Sequence, residues 1–172
     1  RGMERHVWVN PFRASTGSLS SSDVLWSNAG DWLIKYNNDS FSGYIIDPGY
    51  PESRAYVVKV LMEIVNKYDI DGMVMDDYFY AYGGTTNEDA KAQQLYYNAA
   101  EVEDINNNGN TLDDWRRSNV DKVIKAMYDS IKAVKPLVRF GMGPGGIWTM
   151  DKAAAKAYGL TLPTGIYGGD IY

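Results

Sequence analysis

The sequence predicts an α/β fold built on parallel strands, and three observations carry that prediction. The run Gly72-Met73-Val74-Met75 has apolar residues of both parities and stops at Asp76-Asp77, as a strand covered on both faces must where charge begins. Amphipathic helical stretches precede and follow it, so strand and helix alternate along the chain. At 172 residues, with 45% hydrophobic and 23% charged residues, the chain has the material for one folded domain with a core.

In chain order, His6-Val7-Trp8-Val9-Asn10 alternates in the β manner and Pro11 ends it. His6, Trp8 and Asn10 share one face, Val7 and Val9 the other. Valines toward covering helices and polar or aromatic groups inward is the pattern of a barrel strand, with Asn10 and Arg13 near its carboxyl end. His6, at the strand's start, is expected as a satisfied core histidine. Residues 14–30 are rich in Ser, Gly and Asn and read as a surface loop. Asp31-Trp32-Leu33-Ile34-Lys35-Tyr36 and Ser42-Gly43-Tyr44-Ile45-Ile46 flank Asn37-Asn38-Asp39-Ser40, a hairpin laid over one end of the domain.

Asp47-Pro48-Gly49-Tyr50-Pro51-Glu52 then opens a helix, with Pro51 in its first turn, Glu52 complementing its N-terminus and Asp47 as a cap or turn former. Tyr56, Val57, Val60, Leu61, Ile64, Val65 and Tyr68 extend it over 52–68, about four turns. The central strand follows directly. Two carboxylates with Tyr78 and Tyr80 at the carboxyl end of a buried parallel strand stand where α/β proteins place ligand chemistry. A strand that stops at a polar turn, Asp76 capping what comes next, accounts for the same residues.

Residues 81–112 form a long polar insertion with one helical piece over 87–102. Within it, Asp104, Asn106, Asn108 and Asn110 alternate around Gly109 and lead to Asp113-Asp114, which approximates a calcium loop offering oxygen ligands from Asp104, Asn106, Asn108, Asn110 and Asp114. The usual bidentate Glu is replaced by Trp115, and an Asn/Gly-rich turn that holds no ion reads equally from these residues. A structural calcium is thus the one cofactor suggested, and none is required. Asp113 or Asp114 caps the next helix, whose buried stripe is Val120, Val123, Ile124, Met127, Tyr128, Ile131 and Val134, and Pro136 stops it. Residues 137–143 are a further strand, Pro144-Gly145-Gly146-Ile147-Trp148 follows at its carboxyl end, and 150–158 is a short Ala-rich helix before a Gly-rich tail.

Asn10, Asp76 and Pro144 then share one edge of consecutive parallel strands. Three strand–helix units do not close an eight-stranded TIM barrel, which needs about 250 residues. The expected architecture is therefore an incomplete barrel segment, one domain over 1–172. Its chain ends look cut, and its open sheet calls for the parent protein's remaining strands or for self-association. The net charge of −5, without a basic patch, speaks against nucleic acid. A single histidine excludes a multi-His metal site, and there is no cysteine for thiolate chemistry. No apolar run approaches membrane-spanning length, and no signal-peptide pattern opens the chain. Five Trp and fourteen Tyr exceed what the core needs; rings beside carboxylates suit sugar clefts, because pyranose C–H faces stack on them.

Five motifs together carry a family resemblance. They are Arg1-Gly2-Met3-Glu4-Arg5-His6-Val7-Trp8-Val9-Asn10-Pro11-Phe12-Arg13, Ile46-Asp47-Pro48-Gly49-Tyr50-Pro51-Glu52-Ser53-Arg54, Asp71-Gly72-Met73-Val74-Met75-Asp76-Asp77-Tyr78-Phe79-Tyr80, Asp114-Trp115-Arg116-Arg117, and Arg139-Phe140-Gly141-Met142-Gly143-Pro144-Gly145-Gly146-Ile147-Trp148. In this order they resemble glycosyl-hydrolase-like family 10, the bacterial lipoprotein-type TIM-barrel glycosidases. The resemblance implies barrel strands three to five and an extracytoplasmic enzyme, periplasmic, outer-membrane-anchored or secreted, acting on oligo- or polysaccharide. Peptidoglycan glycan strands are the substrate it suggests. Gly143 and Gly145 depart from the family's Ser and Phe, which removes a hydroxyl contact and a stacking ring there.

Glycoside hydrolysis takes one carboxylic acid and one carboxylate. Asp76 is the first candidate, since it shares parity with Gly72 and Val74 and points to the sugar side. Asp77 is the second, although neighbouring residues diverge and Arg116 or a loop is the alternative partner for it. Trp8, Tyr78, Tyr80 and Trp148 are candidates to stack on sugar, Asn10 and Arg13 to bind hydroxyls or a substituent carboxylate, and Arg116 is grouped with this substrate-side set. The competing reading is a carbohydrate-binding or inactive barrel protein that holds glycans without cutting them.

Overall fold

The computed structural model describes residues 2–20, 22–23, 30–37, 42–76, 79–80, 88–104, 109, 111–143, 157 and 159. Their elements run β1 (His6–Val9), β2 (Arg13–Ser15), β3 (Leu33–Asn37), β4 (Ser42–Ile46), α1 (Pro51–Lys67), β5 (Gly72–Asp76), α2 (Ala90–Tyr96), α3 (Thr111–Val134) and β6 (Arg139–Gly143), with short 3-10 turns at Gly30–Trp32 and Ala99–Glu101. The expected α/β architecture with a parallel sheet is present. β5 lies between β1 and β6, parallel to both, with His6, Gly72 and Arg139 in one row and Trp8, Val74 and Gly141 in another.

The two faces of this sheet differ. Met73 and Met75 are fully buried under α1 and α3, joined by Val7, Val9, Phe140 and Met142. The opposite face, with Trp8, Val74 and Asp76, is open or half-open. Val57, Leu61 and Val65 of α1, each four residues from the last, meet Val120, Val123, Met127 and Ile131 of α3 in one core. α1 begins where expected. Pro51 occupies its first turn, where a missing N–H costs nothing, Glu52 faces the positive end and Lys67 the negative one.

The hairpin of β3 and β4 is also as expected, and it pairs from Leu33↔Ile46 to Asn37↔Ser42. Its second sheet gains a strand that composition concealed. Ala14 and Ser15, expected as the start of a loop, form with Arg13 a strand that pairs antiparallel with β4 through a register shift. Arg-Ala-Ser has little intrinsic β preference, so the pairing is imposed by the neighbouring edge of β4.

Three further expectations are corrected. His6 is not a core histidine: its ring is exposed, lies over Gly72 and meets Glu4, which also accepts from Arg139. The insertion's helical piece is shorter than 87–102, because α2 ends at Tyr96 and a 3-10 turn follows after a break. Asp113 and Asp114 lie inside the first turn of α3 rather than at its cap, since the helix starts at Thr111. The expected helix over 150–158 falls outside the described residues, apart from position 157.

Candidate functional site

The carboxyl edge of the parallel sheet brings Asn10, Asp76 and Gly143 level. Asp76 stands beside Gly143 in the register, and Asn10 follows the Val9↔Met75 pair. Asn10 Nδ2 donates to Asp76 Oδ2 at 3.1 Å, and Asn10 Oδ1 accepts from the Arg13 backbone N–H at 3.2 Å. Two residues past Asn10 and three past Asp76, Phe12 and Phe79 pack ring to ring in the core, centroids 5.7 Å apart. Ile46 N–H donates to the Phe12 carbonyl at 2.8 Å. The segments leaving β1 and β5 are therefore held to each other and to the hairpin. Trp8 lies on the same open face, one pair back along β1, and is 62% exposed, while among the described residues nothing lies within 4 Å of a side chain added at Gly141.

Behind this edge lies a buried polar network that sequence reading did not foresee. Asp47 follows β4, and its Oδ1 accepts from Gly49 N–H at 2.7 Å, which makes it the turn former expected. Gly49 is required there: a Cβ would sit 2.6 Å from Ala92 Cβ and 3.0 Å from the Trp115 ring. Burial drives the Asp47 carboxyl up to about 7, assisted by the charge of Asp89 and opposed by the Gly49 N–H, Arg116 and Arg54. Arg116 Nε and Nη2 grip Asp89 at 2.9 and 2.6 Å, and its Nη1 reaches Asp113 at 3.0 Å. Burial by itself would lower the guanidinium's pKa, but the hydrogen bonds and charge of Asp89 overturn that and raise it. Arg54 Nη1 donates to the Pro48 and Gly49 carbonyls and to Asn119 Oδ1. The Tyr80 hydroxyl interacts with Asn119, although neither Tyr80 Oη nor Asn119 Nδ2 makes a hydrogen bond of good geometry. Burial, then Asp47 and Asp89, push the Tyr80 hydroxyl well above its ordinary range, so it stays neutral.

The structure thus brings Asn10 and Asp76 together at one edge, with the Arg13 backbone N–H on Asn10, and sets Trp8 one pair back along the sheet. It does not place Tyr80 or Arg116 among them. Tyr80 is 4% exposed and Arg116 2%, both enclosed in the network of Asp47, Asp89 and Asn119. Arg116 is held by Asp89 and Asp113. Asp77, Tyr78 and Trp148 lie outside the described residues. Of the calcium-loop residues, Asn106, Asn108 and Asn110 also lie outside them. Asp104 Oδ2 accepts from Gly109 N–H at 2.8 Å, and the buried Asp114 pairs with Arg117 at 2.5 Å. Among the described residues no three His, Cys, Asp or Glu side chains form a metal-ready group, and no helix is long and apolar enough to cross a membrane.

The family model for Glycosyl hydrolase-like 10 matches residues 1–161. Glycosyl hydrolase YngK of Bacillus subtilis is 37% identical over 175 residues, covering 99% of this chain and 32% of the relative. Glycosyl hydrolase DigH of Escherichia coli is 32% identical over 161 residues, covering 86% of this chain and 34% of the relative. The chain therefore spans about a third of the length of the curated relatives it matches. Among solved structures, an α-galactosidase from Lactobacillus brevis aligns with 84% of this chain and 17% of its own, at 16% identity and a TM-score of 0.43. With a family match running from β1 past β6, and two glycosyl hydrolases above 30% identity, this chain belongs to the glycosyl hydrolase-like 10 family.

Proposed function

We propose that the protein carrying this chain hydrolyses glycosidic bonds in a polysaccharide, with peptidoglycan glycan strands as the substrate class, and that Asp76 is one of its two working carboxyl groups. The observation that carries this reading is the position of Asp76 at the carboxyl end of β5, level with Asn10 and Gly143, in a chain of a glycosyl hydrolase-like family. The carboxyl ends of parallel strands are where barrel enzymes assemble their chemistry. In glycoside hydrolysis one carboxyl protonates the departing oxygen while a carboxylate acts as nucleophile or activates water. Asp76 serves as the carboxylate in this scheme. The acid comes from Asp77 or from a strand that this segment does not supply, and Trp8 offers an aromatic surface below. The sheet is read as part of a TIM barrel whose other strands flank β1 and β6. A glycan substrate of the envelope places the enzyme outside the cytoplasm.

The test is Asp76→Asn in the full-length protein, incubated with purified peptidoglycan glycan strands and followed by mass spectrometry of the products. A loss of roughly 10²–10⁴-fold in rate is expected. Hydrolysis at near wild-type rate would remove Asp76 from the chemistry. One observation favours a second reading, a glycan binder that does not cut: Gly143, beside Asp76 in the register, offers no side chain at the rim. A binder retains glycan strands but releases no shortened sugars, and the same product analysis separates the two.

A further inference from the structure

We infer that Asn10 is a positioning residue for Asp76 rather than a sugar ligand; the inference rests on the reading of Asp76 given above. The orientation of the Asn10 amide is dictated from one side. Its Oδ1 accepts from Arg13 N–H at 3.2 Å, and turning the amide over would set two donors against each other. The Nδ2 end must then face Asp76, whose Oδ2 it meets at 3.1 Å. Nor can the turn that holds Asn10 drift. Pro11 and Phe12 are buried, Phe12 is packed on Phe79, its carbonyl is bonded to Ile46 N–H, and Arg13 begins a strand paired with β4. Asn10 therefore transmits the rigidity of the hairpin sheet to one oxygen of the carboxylate. Because the two strands are neighbours in register, only a short side chain with an acceptor and a donor at its tip spans both contacts. An Asp side chain has the length and the acceptor but no donor. Gln has both groups on a longer stem.

A group that binds sugar and a group that orients a carboxylate fail differently. Losing a sugar contact made equally in ground and transition states raises KM, whereas misplacing a reacting group by a fraction of its working distance lowers kcat. The experiment measures kcat and KM on peptidoglycan glycan strands for the full-length protein, for Asn10→Asp, Asn10→Ala and Asp76→Asn, and for Asn10→Ala combined with Asp76→Asn. Asn10→Asp keeps the acceptor for Arg13 N–H, and thus the turn, while replacing the donor with a like charge. Both Asn10 variants are expected to lose about tenfold to a hundredfold in kcat with KM within about twofold. The double variant is expected to be no slower than Asp76→Asn alone.

A rise in KM at unchanged kcat, or losses that multiply in the double variant, overturns the inference. Thermal unfolding of Asn10→Asp near the wild-type midpoint assigns its loss to chemistry rather than folding, and a collapsed midpoint with normal kcat at low temperature overturns it. The two readings fail separately. Full activity in Asp76→Asn sinks the assignment of Asp76 and this inference with it. An inactive Asp76→Asn beside fully active Asn10 variants sinks this inference only. A wild-type protein that shortens no glycan strand removes both.

Discussion

Asp47 carries a carboxyl group in a place where ionisation is costly. It is 2% exposed, and burial raises its folded-state value to about 7 from an ordinary 3.8. The folded chain thus holds this proton more tightly than the unfolded chain does. Its contribution is fully present below about pH 4 and is lost progressively as the pH rises through 7. Asparagine at this position cannot ionise and still accepts from Gly49 N–H. Asp47→Asn should therefore stabilise the protein by about 2–4 kcal/mol at pH 8 and leave it nearly unchanged at pH 4, read from urea unfolding at the two pH values. The sequence showed Asp47 as a turn former, which it is. Its perturbed titration was not legible, because the groups around it come from three separate stretches of chain.

At the scale of elements, the ion pair of Arg116 with Asp89 ties the insertion to α3. Both side chains are buried, and the guanidinium meets the carboxylate through two hydrogen bonds. Removing Asp89 leaves the buried guanidinium with Asp113 alone, at a cost of up to about 3–5 kcal/mol. Asp89→Ala is expected to cost that much in urea unfolding. Replacing both, Asp89→Leu with Arg116→Met, is expected to restore most of it, and a double variant as unstable as the single would contradict this account. Local periodicity made the elements themselves readable. β5 and α3 announce themselves by apolar spacing, and Pro51 and Pro136 mark where helices start and stop. Arg13–Ser15 did not announce itself, since its pairing depends on β4 about thirty residues on, not on its own residues. That Tyr80 and Arg116 lie in a buried network was hidden for a related reason. Tyrosine and arginine suit a sugar surface and a buried network equally, and only tertiary contacts choose between them.

For the whole molecule, β1 and β6 form the outer strands of the three-stranded parallel sheet among the described residues, and the face carrying Trp8 is open or half-open there. Exposed strand edges and an open apolar face promote association. The 172-residue chain is expected to elute above its 19.3 kDa monomer mass, with a concentration-dependent shift in light scattering. A monodisperse monomer across about a hundredfold concentration range would contradict the exposed-edge account. The row Trp8, Val74, Gly141 also has a consequence for whatever packs on this face. Bulk descends across the sheet from an indole to an isopropyl group to a bare backbone. Whatever packs on this face meets a slope: it needs volume over Gly141 and must leave room for the indole of Trp8.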